Sequence, residues 1–127
     1  MGDRAVIGFK ETRESTPIWL YSHWGGSNRF QDVQRALEAA RPRWNDPSYA
    51  TRIAVSQIIG DDWSGELNYG LTTDDDIVNS SEYDVIIVIW DERTVEVHTI
   101  ENLNEGVNDP DLIGGFDAFI FSDLIPN

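Results

Sequence analysis

Hydrophobic and polar positions in the first part of the chain predict a hairpin followed by a helix. Short apolar runs at residues 5–9 and 17–21 flank a polar stretch, which is typical of two strands joined by a turn. Over residues 29–41, apolar residues recur at spacings of three and four, with charged residues between them. This periodicity predicts an amphipathic helix that Ser27 or Asn28 can cap.

A second helix is predicted between two local signals. Asp46 is a favourable N-cap, and Pro47 suits the first helical position because proline has no N–H to lose there. Gly60 predicts the end of the helix. Apolar residues cover most of the circumference between these points, so we expect this helix to be more buried than the first.

The second part of the chain contains mainly strand patterns. Residues 66–72 alternate between apolar and polar, residues 83–90 form a continuous apolar run, and residues 94–100 alternate again. Residues 101–115 are rich in Asn, Asp and Gly and are predicted to form a loop. The apolar spacing over residues 116–124 predicts a short terminal helix, with a last strand as the alternative.

These elements together predict an α+β fold, with an antiparallel sheet of about five strands, two consecutive helices on one face and a short C-terminal helix. With 127 residues, 40% hydrophobic and 25% charged, the chain has the composition of a single globular domain spanning residues 1–127. It contains no Cys, so its core has to be stable without disulfides. No apolar run is long enough to cross a bilayer and no signal region is apparent, so we expect a cytoplasmic protein with no membrane partner.

The charge is distributed unevenly along the chain. Residues 1–52 carry eight cationic and six acidic side chains, whereas residues 53–127 carry one cation and 17 acids, for a total net charge of −14. Such a surface repels phosphates, so we expect no direct binding of nucleic acid. It attracts basic partners, and imitation of nucleic acid by residues 61–111 is one interpretation. The other is that the charge only keeps a small protein soluble.

The segment Tyr21 to Ser27, with the sequence Tyr-Ser-His-Trp-Gly-Gly-Ser, carries the strongest candidate chemistry. Its two glycines allow backbone angles closed to other residues, and the free N–H groups of the following helix start form an anion site. His23 and Trp24 would add a hydrogen bond and a stacking face. The segment predicts binding of a small anionic or nucleotide-like ligand. The alternative is a purely structural turn in which Trp24 belongs to the core.

Two boxes of sequence resemble a known group of proteins. The segment 18–26 and the segment 43–52 are similar to the Tyr-Ser/Thr-His-Trp-Gly-Gly and Arg-Trp-Asp-Asp/Asn-Pro-x-Tyr-x-x-Arg boxes of small bacteriophage and actinobacterial prophage proteins without an assigned activity. The resemblance spans roughly residues 5–100 and includes Asn68-Tyr69-Gly70-Leu71. It implies a viral origin, a location in the host cytoplasm, and that both boxes belong to one site or one folding unit. The candidate ligand-binding residues are Tyr21, His23, Trp24, Gly25, Gly26, Ser27, Arg43, Trp44, Tyr49 and Arg52.

Three functions are compatible with these patterns. The first is a non-enzymatic, phage-encoded binding protein that holds a small anionic ligand at the segment 21–27 and so sequesters a host defence signal. The second is an acidic inhibitor that binds a basic host protein. The third is a small hydrolase or transferase that uses His23 as acid or base. We favour the non-enzymatic interpretation.

Other polar residues predict no cofactor and no metal site. The chain has two histidines and no cysteine, and Asp74-Asp75-Asp76 lacks the spacing of a calcium loop, so we expect it to be a solvated loop. His98 shares a strand face with Glu96 and Ile100 and is expected at the surface or at an interface. Treated as an edge strand, the segment 94–100 makes a homodimer plausible.

Overall fold

Six strands form one sheet at the centre of the protein. The structure is a computed structural model that describes residues 2–106, 110 and 112–121. The strands lie in the spatial order β3-β2-β1-β4-β5-β6, and every neighbouring pair is antiparallel except β1 and β4, which are parallel. The strands are β1 (Ala5–Lys10), β2 (Ile18–Ser22), β3 (Tyr69–Thr72), β4 (Val85–Ile89), β5 (Thr94–His98) and β6 (Leu112–Gly115).

Four helices of the described residues pack on this sheet, and the predicted α+β class with two main helices and a short C-terminal helix is confirmed. Each of the two long helices is followed by a 3₁₀ segment, and a further 3₁₀ segment, Asp75–Ser80, precedes β4. The helices are α1 (Arg29–Ala40), α2 (Pro47–Ile59), α3 (Ile100–Asn104) and α4 (Phe116–Ile120). None of the helices in the described part of the chain is long and apolar enough to cross a membrane.

The six strands of the sheet are close to the predicted number of about five, but two details of the predicted topology are wrong. β6 pairs with β5 inside a stretch that was predicted to be loop. The same stretch contains α3, while residues 107–109 and 111 lie outside the described residues. β5 is therefore not an edge strand; the edges are β3 and β6. The strand ends at His98 because Thr99 caps α3 by accepting a hydrogen bond from the backbone N–H of Asn102, at 3.1 Å.

The main core lies between the sheet and the long helices. Trp90, which follows β4, is fully buried there, and its Nε1 donates a hydrogen bond to Thr51 Oγ1 of α2 at 2.8 Å. Trp90 also packs edge-on against the Phe116 ring at 5.5 Å. Strand residues of this core are Ile7, Phe9, Leu20, Ile86, Val88, Val95 and Val97, and helix residues include Phe30, Val33, Leu37, Ala50, Ala54, Phe116 and Phe119.

The expectation that α2 is the more buried helix is wrong. α1 buries five residues on one continuous stripe, including Phe30, Val33 and Leu37, whereas α2 buries only Ala50, Ala54 and Val55. The apolar residues of α2 are spread around its circumference, so a single contact face cannot cover all of them. As a result, the larger apolar side chains of α2 are only partly covered, and one of its ends contributes to an open cavity described below.

The opposite face of the sheet has a thinner cover. Val6, Trp19 and Ile87 of the strands form a second apolar cluster under Val78 of the 3₁₀ segment and Leu103 of α3. Because these two covering elements are short, part of this sheet face is not covered by packed side chains and forms the floor of a groove.

Candidate functional site

The segment 21–27 lies where the sequence predicts it, between the end of β2 and the start of α1. The ring of His23 is fixed from two sides: its Nδ1 lies 2.8 Å from the hydroxyl oxygen of Tyr21, and its centroid lies 4.6 Å from that of Trp24, edge-on. Trp24 itself is 57% exposed. The alternative that places Trp24 in the core is therefore wrong, and this side chain offers an indole face to solvent.

The anion position of this turn is filled by the protein's own carboxylate. Asp3 accepts hydrogen bonds from the Ser27 backbone N–H at 2.8 Å and from the Ser27 hydroxyl at 2.6 Å. The hydroxyl of Tyr83 donates to its other carboxylate oxygen, and the N–H of Gly26 donates to its backbone carbonyl at 2.7 Å. The bonds from Ser27 and then Tyr83 lower the pKa of Asp3. An external anion would have to displace this carboxylate.

Gly25 and Gly26 are required by packing rather than by their backbone angles. Gly25 has φ of −95°, and neither glycine is in the left-handed region. A Cβ on Gly25 would collide with the hydroxyl of Ser22, and one on Gly26 would collide with the Tyr83 ring. The expectation of special backbone angles is thus wrong, although the close approach that glycine permits is real.

The second box of candidate residues lies at the other end of α1. The indole N–H of Trp44 donates to the carbonyl of Leu37 at 3.0 Å, and its ring packs edge-on against Phe116 at 4.9 Å. The Arg43 guanidinium lies 4.8 Å from the centroid of the Tyr49 ring. Because α1 has 12 residues, its length of about 18 Å separates this group from the segment 21–27. Nine of the ten candidate residues therefore fall into two groups, and the ten do not surround one pocket.

Arg52 belongs to neither group directly. It lines a cavity of about 570 Å³ between α2 and the edge of the sheet, together with Ile18 and Leu71. Ile18 is 40% and Leu71 is 56% exposed, so this cavity is apolar and open. The cationic head of Arg52 lies within reach of the Ser56 hydroxyl at 3.4 Å.

A loop that the sequence interpretation missed lies directly beside the first group. The N–H of His23 donates to the carbonyl of Asn68 at 3.0 Å, which joins the turn to the loop that precedes β3. This loop exposes Trp63 to 81% and Leu67 to 86%. We call residues 23–25 and 61–67 the aromatic–acidic surface. Two large apolar residues within an acidic, glycine-containing stretch were the available sequence signal.

Two of the three acids of the aromatic–acidic surface are free to meet a partner, while the third, Asp62, accepts a hydrogen bond from the Asn68 amide at 3.1 Å. Asp61 and Glu66 are exposed, and neither takes part in an ion pair within the described residues. On the turn side, burial raises the pKa of Asp32, which lies near Gly25 and is paired with Arg35 at 2.7 Å. The surface thus combines exposed aromatic and aliphatic groups with uncompensated negative charge.

His98 is buried, contrary to expectation, because Arg13 and the covering elements lie over its strand face. Its Nε2 lies 2.9 Å from Glu96 Oε1, and Arg13 donates to Glu96 Oε2 at 2.5 Å. Burial alone would raise the pKa of Glu96, but the bonds from Arg13 and His98 outweigh it and lower the pKa. Arg13 lies 83 positions before Glu96, so no local pattern could reveal the contact.

Metal chemistry has no support in the described part of the chain, where no three carboxylate or imidazole groups converge on one point. Asp74 instead caps the 3₁₀ segment by accepting from the Asp76 N–H at 3.0 Å. Asp75 accepts from the indole N–H of Trp19 at 2.9 Å.

Comparison of the chain with protein-family models, with curated proteins and with solved structures finds no match. The resemblance of the two boxes to phage proteins therefore stays a prediction.

Proposed function

We propose that this protein is a non-enzymatic binding protein that docks a basic segment of a partner protein on its aromatic–acidic surface. The observation that carries the proposal is the exposure of Trp24, Trp63 and Leu67, at 57%, 81% and 86%, on two segments that the hydrogen bond from the His23 N–H to the Asn68 carbonyl joins. Exposed apolar groups of this size on adjoining segments are a common mark of a protein interface, and tryptophan is the residue most enriched at its energetic centre.

Charge selects the kind of partner. The unpaired carboxylates of Asp61 and Glu66 can each accept hydrogen bonds from a guanidinium or an ammonium group. The indole faces of Trp24 and Trp63 attract the same cations. A net charge of −14 over the chain steers a basic partner to the surface and repels acidic competitors.

The small-anion interpretation has weaker support. Asp3 already uses the donors of the Ser27 turn, so an anionic ligand would meet a carboxylate in its place. The enzymatic interpretation through His23 is also weak, because His23 lines neither the apolar cavity nor the groove described above. If the phage resemblance holds, the basic partner is a host protein and the binding is inhibitory.

Tryptophan fluorescence tests the proposal directly. Of the five tryptophans, Trp24 and Trp63 are exposed, while Trp19 and Trp90 are 4% and 0% exposed. We expect a peptide rich in Arg and Lys to shift the emission to shorter wavelength as the exposed indoles are covered, and added salt to weaken the effect. Trp24→Ala and Trp63→Ala should each weaken binding about tenfold.

Tyr49→Ala is the matched control, since Tyr49 is 53% exposed but lies in the first turn of α2, beyond the end of α1 that is remote from the segment 21–27. Equal weakening by this control would contradict the proposal, as would an equal response to a peptide rich in Glu. Sedimentation over a range of protein concentrations adds a third outcome. Dimers that dissociate on Trp63→Ala would mean that a second copy covers the surface, and the proposal would fall.

A further inference from the structure

One edge of the sheet is uncovered beside the aromatic–acidic surface. β3 forms this edge and pairs with β2 on its inner side. Gly70 and Leu71, which lie in the middle of the strand and face opposite sides of the sheet, are both exposed. A Cβ added to Gly70 would meet no atom within 4 Å. Both faces of the strand are therefore accessible, and such an edge is a template for pairing with a further strand.

The register of β3 with β2 leaves four backbone groups unused. The N–H of His23 donates to the carbonyl of Asn68 at 3.0 Å, and the same register continues into β3. Bonded and non-bonded pairs alternate along an antiparallel ladder, so Gly70 bonds to β2, whereas the N–H and C=O groups of Tyr69 and Leu71 point to the outer edge. Within the described residues, these four groups have no hydrogen-bond partner.

A strand added to this edge would place one side chain over the apolar cavity. Leu71 lines this cavity of about 570 Å³ together with Ile18 and Val55, so it borders the face of β3 that carries Leu71. A residue paired with Leu71 across the edge has its Cβ about 5 Å away on the same face. Arg52 and Glu11 line the cavity as one cation and one anion, so an apolar residue fits there better than a charged one.

Charge at both ends of β3 selects a basic partner segment. Asp61 and Glu66 precede the strand and three aspartates, residues 74–76, follow it, and all five side chains are exposed. Residues 53–92 contain ten acids and no cation. A second copy of the chain would bring its own acids against these. Charge therefore favours a segment rich in Arg and Lys over a dimer.

We propose that the basic segment of the partner binds as an added strand along β3, an inference that rests on the proposed function of the aromatic–acidic surface. The segment exchanges backbone hydrogen bonds with Tyr69 and Leu71. One of its apolar side chains covers the cavity beside Leu71, and Arg or Lys residues on either side meet the acids at the two ends of β3. In this mode the backbone supplies affinity and the alternate side chains supply selectivity.

Backbone methylation of a peptide tests this mode of binding on the wild-type protein. The parent peptide is Arg-Lys-Thr-Val-Thr-Lys-Arg, with an apolar centre and basic ends. Only alternate N–H groups of an added strand face β3, whether the strand is antiparallel or parallel. N-methylation of the valine and N-methylation of the threonine before it should therefore differ. We expect one to weaken binding about tenfold and the other to change it little, so that each peptide is the control of the other.

Hydrogen exchange of the β3 amides detects the same contact from the side of the protein. In the free protein, the amides of Tyr69 and Leu71 should exchange rapidly because they have no acceptor. A saturating concentration of the parent peptide should slow both about tenfold or more. The Gly70 amide already bonds to β2 and should change less, which makes it an internal control.

Two variants at one position separate the backbone from the side chain. Leu71→Ala shortens the side chain but keeps the outward N–H, whereas Leu71→Pro removes that N–H as well. Proline is tolerated on an edge strand where the N–H faces solvent. We expect Leu71→Pro to bind the parent peptide about tenfold more weakly than Leu71→Ala. Thermal unfolding shows whether both variants are folded.

The outcomes separate this inference from the proposed function. If the parent peptide does not bind, or if Trp63→Ala binds it as well as the wild type, the proposed function falls and strand addition falls with it. Suppose instead that binding depends on Trp63, but that the two methylated peptides bind equally and the Tyr69 and Leu71 amides stay unprotected. The proposed function then stands and strand addition is overturned. A dimer of the free protein that dissociates on Leu71→Pro would also overturn it, because a second copy would occupy the edge.

Discussion

Asp3 shows how a single residue changes the interpretation of a motif. The strand, the turn and the helix start were all predicted correctly, and together they indicate an anion site. What the local sequence could not reveal is that a carboxylate 24 positions before Ser27 reaches the same donors. Because Asp3 accepts the hydrogen bonds that the turn can donate, the turn anchors the segment that precedes β1. Anion binding by the turn is therefore secondary.

The ionised form of Asp3 should stabilise the fold. Its folded pKa is lowered from the ordinary value of 3.8, so the stabilisation is present above that pH and is lost as the pH falls through the folded pKa. We expect Asp3→Asn to lower the midpoint of thermal unfolding at neutral pH. The difference from wild type should shrink as the pH falls below 3.8 and through the lowered folded pKa.

Glu11→Gln is the control, because Glu11 is exposed and takes part in no ion pair of the described residues. It should change the midpoint little at any pH. A destabilisation of Asp3→Asn that is independent of pH would mean that the carboxylate charge does not hold the turn.

Among the elements, those with local start and stop signals were predicted best. α2 begins at Pro47 and ends before Gly60, which has a positive φ of 57°, and both residues act on the backbone directly. β6 has no such signal, because its strand conformation depends on pairing with β5. α3 was missed because a five-residue helix is too short to show periodicity.

The N-caps of α2 and α3 differ in whether the side chain makes a capping hydrogen bond. Thr99 accepts the Asn102 N–H at the start of α3, whereas the side chain of Asp46 makes no capping hydrogen bond to α2. We therefore expect Thr99→Ala to cost about 1 kcal/mol of unfolding free energy. Asp46→Ala should cost less than about 0.5 kcal/mol, because its contact with Arg43 is an exposed pair.

Urea denaturation of the two variants measures both values. Since α3 forms one wall of the groove, Thr99→Ala should also increase hydrogen exchange of the α3 amides. Equal losses of stability in the two variants would contradict this assignment of the caps.

At the scale of the whole molecule, composition predicts the kind of surface but not its arrangement. The hydrophobic content indicates one core, yet the sheet divides the apolar residues into two clusters of different thickness. The thinner cluster leaves room for the groove. The position of the groove and the burial of His98 could not be inferred from sequence spacing, because Arg13, β5 and α3 come together only in the folded chain.

Net charge should also make stability depend on salt. The acids after residue 52 outnumber the cations there by 16, and the folded state brings them together. Screening reduces this repulsion, so we expect added sodium chloride to raise the midpoint of thermal unfolding by several degrees. The double variant Asp61→Asn, Glu66→Gln should show a smaller rise. A midpoint that falls with salt would mean that the surface ion pairs outweigh the repulsion.

The parallel pairing of β1 with β4 has a consequence for synthesis. Ile7 is opposite Ile86 in the register, so the paired residues of the two central strands lie 79 positions apart in the sequence. During translation the β1–β2 hairpin leaves the ribosome long before β4 has been synthesised. Until then the edge of β1 that pairs with β4 has no partner strand. Contacts of such large sequence separation slow folding. The nascent chain is therefore most exposed to chaperones and proteases until residue 89 has emerged, and the sheet closes late.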